Sequence, residues 1–87
     1  MELPMQRTHH VIRFWNGQRL DLAIREGELY ELQPDDPDKS GQCGRVCRVE
    51  AVENAPVPRR ARVRFEDNGR IGLVELQDLL EIEAASA

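Results

Sequence analysis

Eighty-seven residues, 40% of them hydrophobic and 32% charged, have the size and balance of one small folded domain and leave no room for two. The net charge of −4 hides blocks of opposite sign, positive over residues 1–25 and 42–70 and negative over 26–41 and 71–87. This argues against a nucleic-acid binder that is basic throughout, while leaving room for one local basic face. No apolar run approaches the roughly 18 residues that a membrane span needs, and Met1-Glu2-Leu3-Pro4 lacks the basic start and apolar stretch of a signal peptide. The expectation is a cytoplasmic protein with no membrane association.

The first strong local signal is a hairpin over residues 10–24. Asn16-Gly17 is a turn dipeptide, and two loop geometries compete for it. A two-residue loop sets Ile12 opposite Asp21 and Phe14 opposite Arg19. A three-residue loop sets Ile12 opposite Leu20 and Phe14 opposite Gln18. The second gathers Ile12, Phe14, Leu20, Leu22 and Ile24 on one face and puts Arg13, Arg19, Asp21 and Arg25 on the other. A one-residue slip would scramble that separation, so the hydrophobic pattern favours the three-residue loop. Trp15 then stands at the turn tip, on neither face.

Strand signals continue at Leu29–Leu32 and at Arg45–Val52, where Cys47, Val49 and Ala51 point inward. Between them, residues 33–42 read as an exposed loop, and Asn54-Ala55-Pro56-Val57-Pro58 as a second loop stiffened by two prolines. A second hairpin alternates Ala61, Val63 and Phe65 with Arg60, Arg62 and Arg64 before Asp67-Asn68-Gly69. A three-residue loop there pairs Phe65 with Ile71 and Val63 with Leu73. Leu76 to Leu80 is expected to make one helical turn before a short strand at Glu81-Ile82, and residues 83–87 to fray. Short strands separated by Gly/Pro turns, with no long helical period, point to a mainly β antiparallel barrel. Its expected core includes Ile12, Phe14, Val63, Phe65, Ile71 and Leu73.

From residue 27 to 82 the order is strand, long loop, two central strands, hairpin, helical turn and closing strand. Together with Val63-Arg64-Phe65-Glu66-Asp67-Asn68-Gly69 and Val74-Glu75-Leu76-Gln77-Asp78-Leu79, it resembles the SH3-like barrels, and the Tudor domains among them. The resemblance implies a small binding module, with the hairpin of residues 10–24 as an addition. Tudor domains that read methylated Lys or Arg use a cage of aromatic faces. Here only Phe14, Trp15, Tyr30 and Phe65 are aromatic, and Asn68 stands where the family commonly has Tyr, so a complete cage is not expected. The oligomeric plasmid-borne dihydrofolate reductase also has an SH3-like fold, but Leu73-Val74-Glu75-Leu76 lacks the Gln and Tyr of its pore strand.

The reactive side chains do not assemble into a recognisable centre. Cys43 and Cys47 on one strand would lie about 13 Å apart at roughly 3.3 Å per residue, beyond the roughly 7 Å that a disulfide tolerates. Their spacing, with His9 and His10 pointing to opposite faces, is a poor zinc pattern. Counting from Asp35, Ser40 and Val46 occupy the positions where a calcium loop needs Gly and Glu. No catalytic residue, metal or cofactor is therefore expected, and the chain does not read as an enzyme.

The most informative feature is arginine, with eleven Arg against one Lys. Strand alternation points Arg60, Arg62 and Arg64 outward together. Pairing Cys47 with Phe65 sets Arg48 opposite Arg64 and Glu50 opposite Arg62. Directly opposed like charges destabilise a sheet unless something neutralises them, and the planar guanidinium binds carboxylate or phosphate bidentately. Trp15, Arg48, Arg60, Arg62 and Arg64 are thus the candidate partner-binding residues. A protein partner is the leading expectation; nucleic acid, held weakly by the same face, is the alternative.

Overall fold

A computed structural model describes residues 8–82. Among these residues seven strands form: β1 (Thr8–Trp15), β2 (Gln18–Arg25), β3 (Leu29–Leu32), β4 (Arg45–Val52), β5 (Arg60–Phe65), β6 (Ile71–Glu75) and β7 (Leu79–Leu80). β1 and β2 make a separate antiparallel ribbon, and the rest form one antiparallel sheet in the order β6-β5-β4-β3-β7. The two ends of that sheet do not pair with each other, so the barrel is open rather than closed. One 3₁₀ turn, Leu76–Asp78, precedes β7. A second, Pro37–Gln42, organises part of the expected loop, with Asp36 Oδ1 accepting from the Asp38 N–H at 2.9 Å. The closing strand is Leu79–Leu80, two residues before its expected place, and it pairs with Leu32 and Glu31 of β3. The expected fraying of residues 83–87 lies outside the described residues.

Both hairpin registers differ from expectation. In the first, Ile12 pairs with Asp21 and Phe14 with Arg19 around a two-residue loop. Asn16 at φ 52° and Gly17 at φ 78° both occupy the left-handed region. A type I′ turn demands that conformation, and its twist matches the strands it joins. Turn chemistry favours this register, and it prevails over the apolar pattern because Arg13 finds acceptors when it turns inward. Ile12 and Phe14 face outward, Phe14 at 66% exposure, while Arg13 turns inward at 4%.

A buried cation needs partners, and Arg13 has them on the other sheet. It donates to the Gln33 carbonyl at 2.9 Å and to the Leu79 carbonyl at 3.3 Å. A longer contact, 3.4 Å, joins it to Asp35. Its guanidinium carbon sits 5.1 Å from the centroid of the Trp15 ring. The ribbon is thus clasped to the main sheet through Arg13. Tyr30 adds a second tie: its hydroxyl accepts from the Arg25 N–H at 2.8 Å and donates to the Ala23 carbonyl at 2.9 Å. Between the two sheets lies a core of Leu22, Ile24, Leu32, Val49, Val63, Leu79 and Leu80 with their neighbours.

The second hairpin has a four-residue loop over residues 66–69. The Phe65 N–H donates to the Arg70 carbonyl at 2.9 Å, and Gly69, at φ 70°, donates back to Phe65 at 2.8 Å. Val63 consequently faces Gly72, and Arg62 faces Leu73. Ile71 and Leu73, expected in the core, lie on the outer face at 52% and 69% exposure. The reason is Phe65. A Cβ on Gly72 would come within 2.9 Å of its ring, so the position facing Val63 accepts only glycine without rearrangement. Glycine inside a strand often marks such a close approach.

Candidate partner-binding face

The outer surface of β4, β5 and β6 holds four of the five candidates. Ala61, Val63 and Phe65 are buried and Arg60, Arg62 and Arg64 are exposed, as the alternation along β5 requires. On β4, Cys47 faces Phe65 and Arg48 faces Arg64, as expected. Beyond Val49 a bulge shifts the register, so Arg62 faces Ala51 rather than Glu50. The bulge turns Val52 into the core and Ala51 away from it, reversing the expectation for Ala51.

That bulge lets one carboxylate serve two arginines. Glu50 lies 3.5 Å from Arg62 and 3.1 Å from Arg64. Arg64 also donates to the Gly69 carbonyl at 2.7 Å, while Arg48 donates to the Gly27 carbonyl at 2.6 Å and lies 3.9 Å from Glu66. The opposed pair Arg48 and Arg64 is thus splayed toward different acceptors, which answers the like-charge problem inside the chain. Arg60 has no carboxylate within ion-pair distance among the described residues, although Glu75 lies opposite it in register.

Beside the arginine row runs an apolar edge of Ile71 and Leu73. Reading the second hairpin with a three-residue loop hid this edge by assigning both residues to the core. Gly72 between them was the signal that could have revealed it. The fifth candidate, Trp15, lies elsewhere. It is half-buried, packs against the core and stacks with Arg13, so its ring serves the clasp between the sheets. A second exposed apolar pair, Ile12 and Phe14, stands on the outside of the ribbon.

Near the rim, Arg45 holds Asp67 through two hydrogen bonds of 2.9 and 3.0 Å. Its guanidinium carbon lies 3.7 Å from the Phe65 ring centroid. The guanidinium lowers the Asp67 pKa below the usual carboxylate value. Cys47 is fully buried, and desolvation pushes its thiol up to about 11, so it stays protonated at neutral pH and is a poor nucleophile. Cys43 is exposed. Among the described residues no group of three or more His, Cys, Asp or Glu side chains converges to hold a metal ion. Compared with family models, curated proteins and solved structures, the chain matches none.

Proposed function

We propose that this chain is a small non-enzymatic interaction module of SH3-like architecture that binds a protein partner through the outer face of β4, β5 and β6. The observation that carries this reading is the adjacency of exposed Ile71 and Leu73 to the row Arg60, Arg62 and Arg64. An apolar strip rimmed by arginine suits a protein surface that supplies both apolar side chains and carboxylates, because interfaces combine an apolar centre with a polar rim enriched in Arg. The SH3-like assignment is supported by the element order from β3 onward and by the return of β7 to β3 after a 3₁₀ turn. Glu50 and Glu66 already neutralise part of the arginine charge, which favours a protein over a polyphosphate backbone.

Affinity capture from native lysate, with and without nuclease, tests the reading. One defined protein should be retained in both conditions and lost with Arg62→Glu plus Arg64→Glu. Capture that nuclease abolishes, with submicromolar oligonucleotide binding in fluorescence anisotropy at physiological salt, would replace the protein partner by nucleic acid. In that case log affinity should fall with log salt at a slope of roughly −0.7 to −0.9 per phosphate contact.

A further inference from the structure

The open seam of the barrel identifies the kind of partner more closely. β6 is an edge strand, with no strand paired to its outer side among the described residues. The Phe65 N–H bonds to the Arg70 carbonyl and the Leu76 N–H to the Arg59 carbonyl, at opposite ends of the β5–β6 pair. Antiparallel pairs alternate between hydrogen-bonded and non-hydrogen-bonded positions. Gly72 and Val74 therefore share the β5 ladder, and the N–H and C=O groups of Ile71, Leu73 and Glu75 point away from β5. Natural edges are commonly blunted by charged side chains, Pro, bulges or brevity. β7, the other edge of this sheet, has two residues. β6 has five, Ile-Gly-Leu-Val-Glu, and its only such device is the single charge of Glu75 at its end.

Along this free edge lies a cleft of about 430 Å³, bounded on the far side by Leu32, Pro34 and Lys39 and on the near side by Phe65, Leu73 and Val74. A strand laid in it would alternate its side chains between the cleft and the outer face. The inward positions meet Leu32, Phe65 and Val74. The outward positions lie beside Ile71 and Leu73, two strand spacings of roughly 4.8 Å from the arginine row, within the joint span of Arg and Glu side chains. That row carries three guanidinium groups, and Glu50 is shared between two of them. The sign reverses at Glu75, where a neutral or basic residue fits, and inside the cleft at Asp78, which is paired with Lys39 at 3.5 Å.

We propose that the edge of β6 binds an extended segment of a partner protein as an added antiparallel or parallel strand, apolar on its inward positions and acidic on its outward ones opposite Arg62 and Arg64. The proposal rests on the interaction-module reading above and deepens it by assigning the partner's conformation and charge. Main-chain hydrogen bonds hold such a strand, and alternate side chains select it.

The test uses the full chain with two short peptides, one alternating Glu and Val, the other Lys and Val. The Glu/Val peptide should bind saturably and slow hydrogen exchange at the amides of Ile71, Leu73 and Glu75, as followed by NMR. The Lys/Val peptide should bind roughly tenfold more weakly. Leu73→Pro removes an outward N–H without touching the β5 ladder, and should abolish binding while leaving the circular dichroism spectrum unchanged. If that variant does not fold, Glu/Val peptides N-methylated at odd or at even positions replace it, because one set should bind and the other fail. Absent binding, unchanged exchange at these amides, or sedimentation showing a second copy of the chain on this edge would overturn the proposal. A captured protein that ignores Leu73→Pro but is lost with Arg62→Glu plus Arg64→Glu would overturn it while leaving the module reading intact.

Discussion

Arg13→Met keeps a long side chain in place but removes every donor of the clasp between the ribbon and the main sheet. The Arg13 side chain is 3% exposed, and its hydrogen bonds reach two backbone carbonyls, of Gln33 and Leu79. Hydrogen bonds from a charged donor contribute about 1.5–3 kcal/mol each, so their loss costs about 3–6 kcal/mol. Part of this is offset, because burying a guanidinium is itself costly and Arg13 Nε has no hydrogen-bond partner among the described residues. The net expectation is a loss of about 2–4 kcal/mol. A chain of this length holds on the order of 5–10 kcal/mol in total, so the variant should sit near its unfolding threshold. Urea titration followed by circular dichroism gives the number. Fluorescence of Trp15, the single tryptophan, reports on the ribbon itself. Asp35, whose side chain is 75% exposed, is a useful contrast: Asp35→Ala should cost less than about 1 kcal/mol, as exposed ion pairs do. A loss below about 0.5 kcal/mol for Arg13→Met, with an unchanged m-value, would refute the clasp and make Arg13 one of the buried charges that apolar residues replace without loss.

Gly72→Ala places a methyl against the Phe65 ring and should destabilise by about 1–3 kcal/mol in the same titration; a stabilised variant would show that the ring yields freely. Phe65→Ala should cost about 3–5 kcal/mol, the range for a buried Phe, and a change below about 1 kcal/mol would remove Phe65 from the core. With a thiol reagent at neutral pH, Cys43 should react in the native state and Cys47, buried with its pKa near 11, only after unfolding; equal fast reaction of both would contradict this. The Asp67 pKa is held below its unfolded value by Arg45, so its contribution is present above roughly pH 4 and lost as pH falls through the folded value. The urea midpoint of Asp67→Asn should accordingly change less than that of the parent between neutral and strongly acidic pH.

Local chemistry made several elements legible. Leu29–Leu32 and Arg45–Val52 occupy the expected residues, and the alternation along Arg60–Phe65 correctly divides arginines from core. Taking Cys47 opposite Phe65 across the proline loop placed Arg48 opposite Arg64, as the structure has it, but also Glu50 opposite Arg62, where the structure has Ala51. The exposed arginine row was therefore readable as a face, while the apolar edge beside it was not.

What sequence pattern could not decide was whether a charge would be buried. Assigning Arg13 to solvent made the three-residue loop in the first hairpin look better, because it gathered Ile12, Phe14, Leu20, Leu22 and Ile24 on one face. The carbonyls of Gln33 and Leu79 lie 20 and 66 residues away along the chain, so only the docked tertiary structure supplies the acceptors that let the arginine turn inward. Gly72 followed the same logic, since a glycine opposite Val63 makes sense only once the Phe65 ring is in place above it. The open seam is likewise tertiary: alternation marks a residue as edge-like or core-like, but not whether the first and last strands of a curled sheet meet. The sequence determined which residues share a side along the regular strands, though not past the bulge in β4. The tertiary structure chose which side faced in, because that choice depends on partners brought from distant parts of the chain.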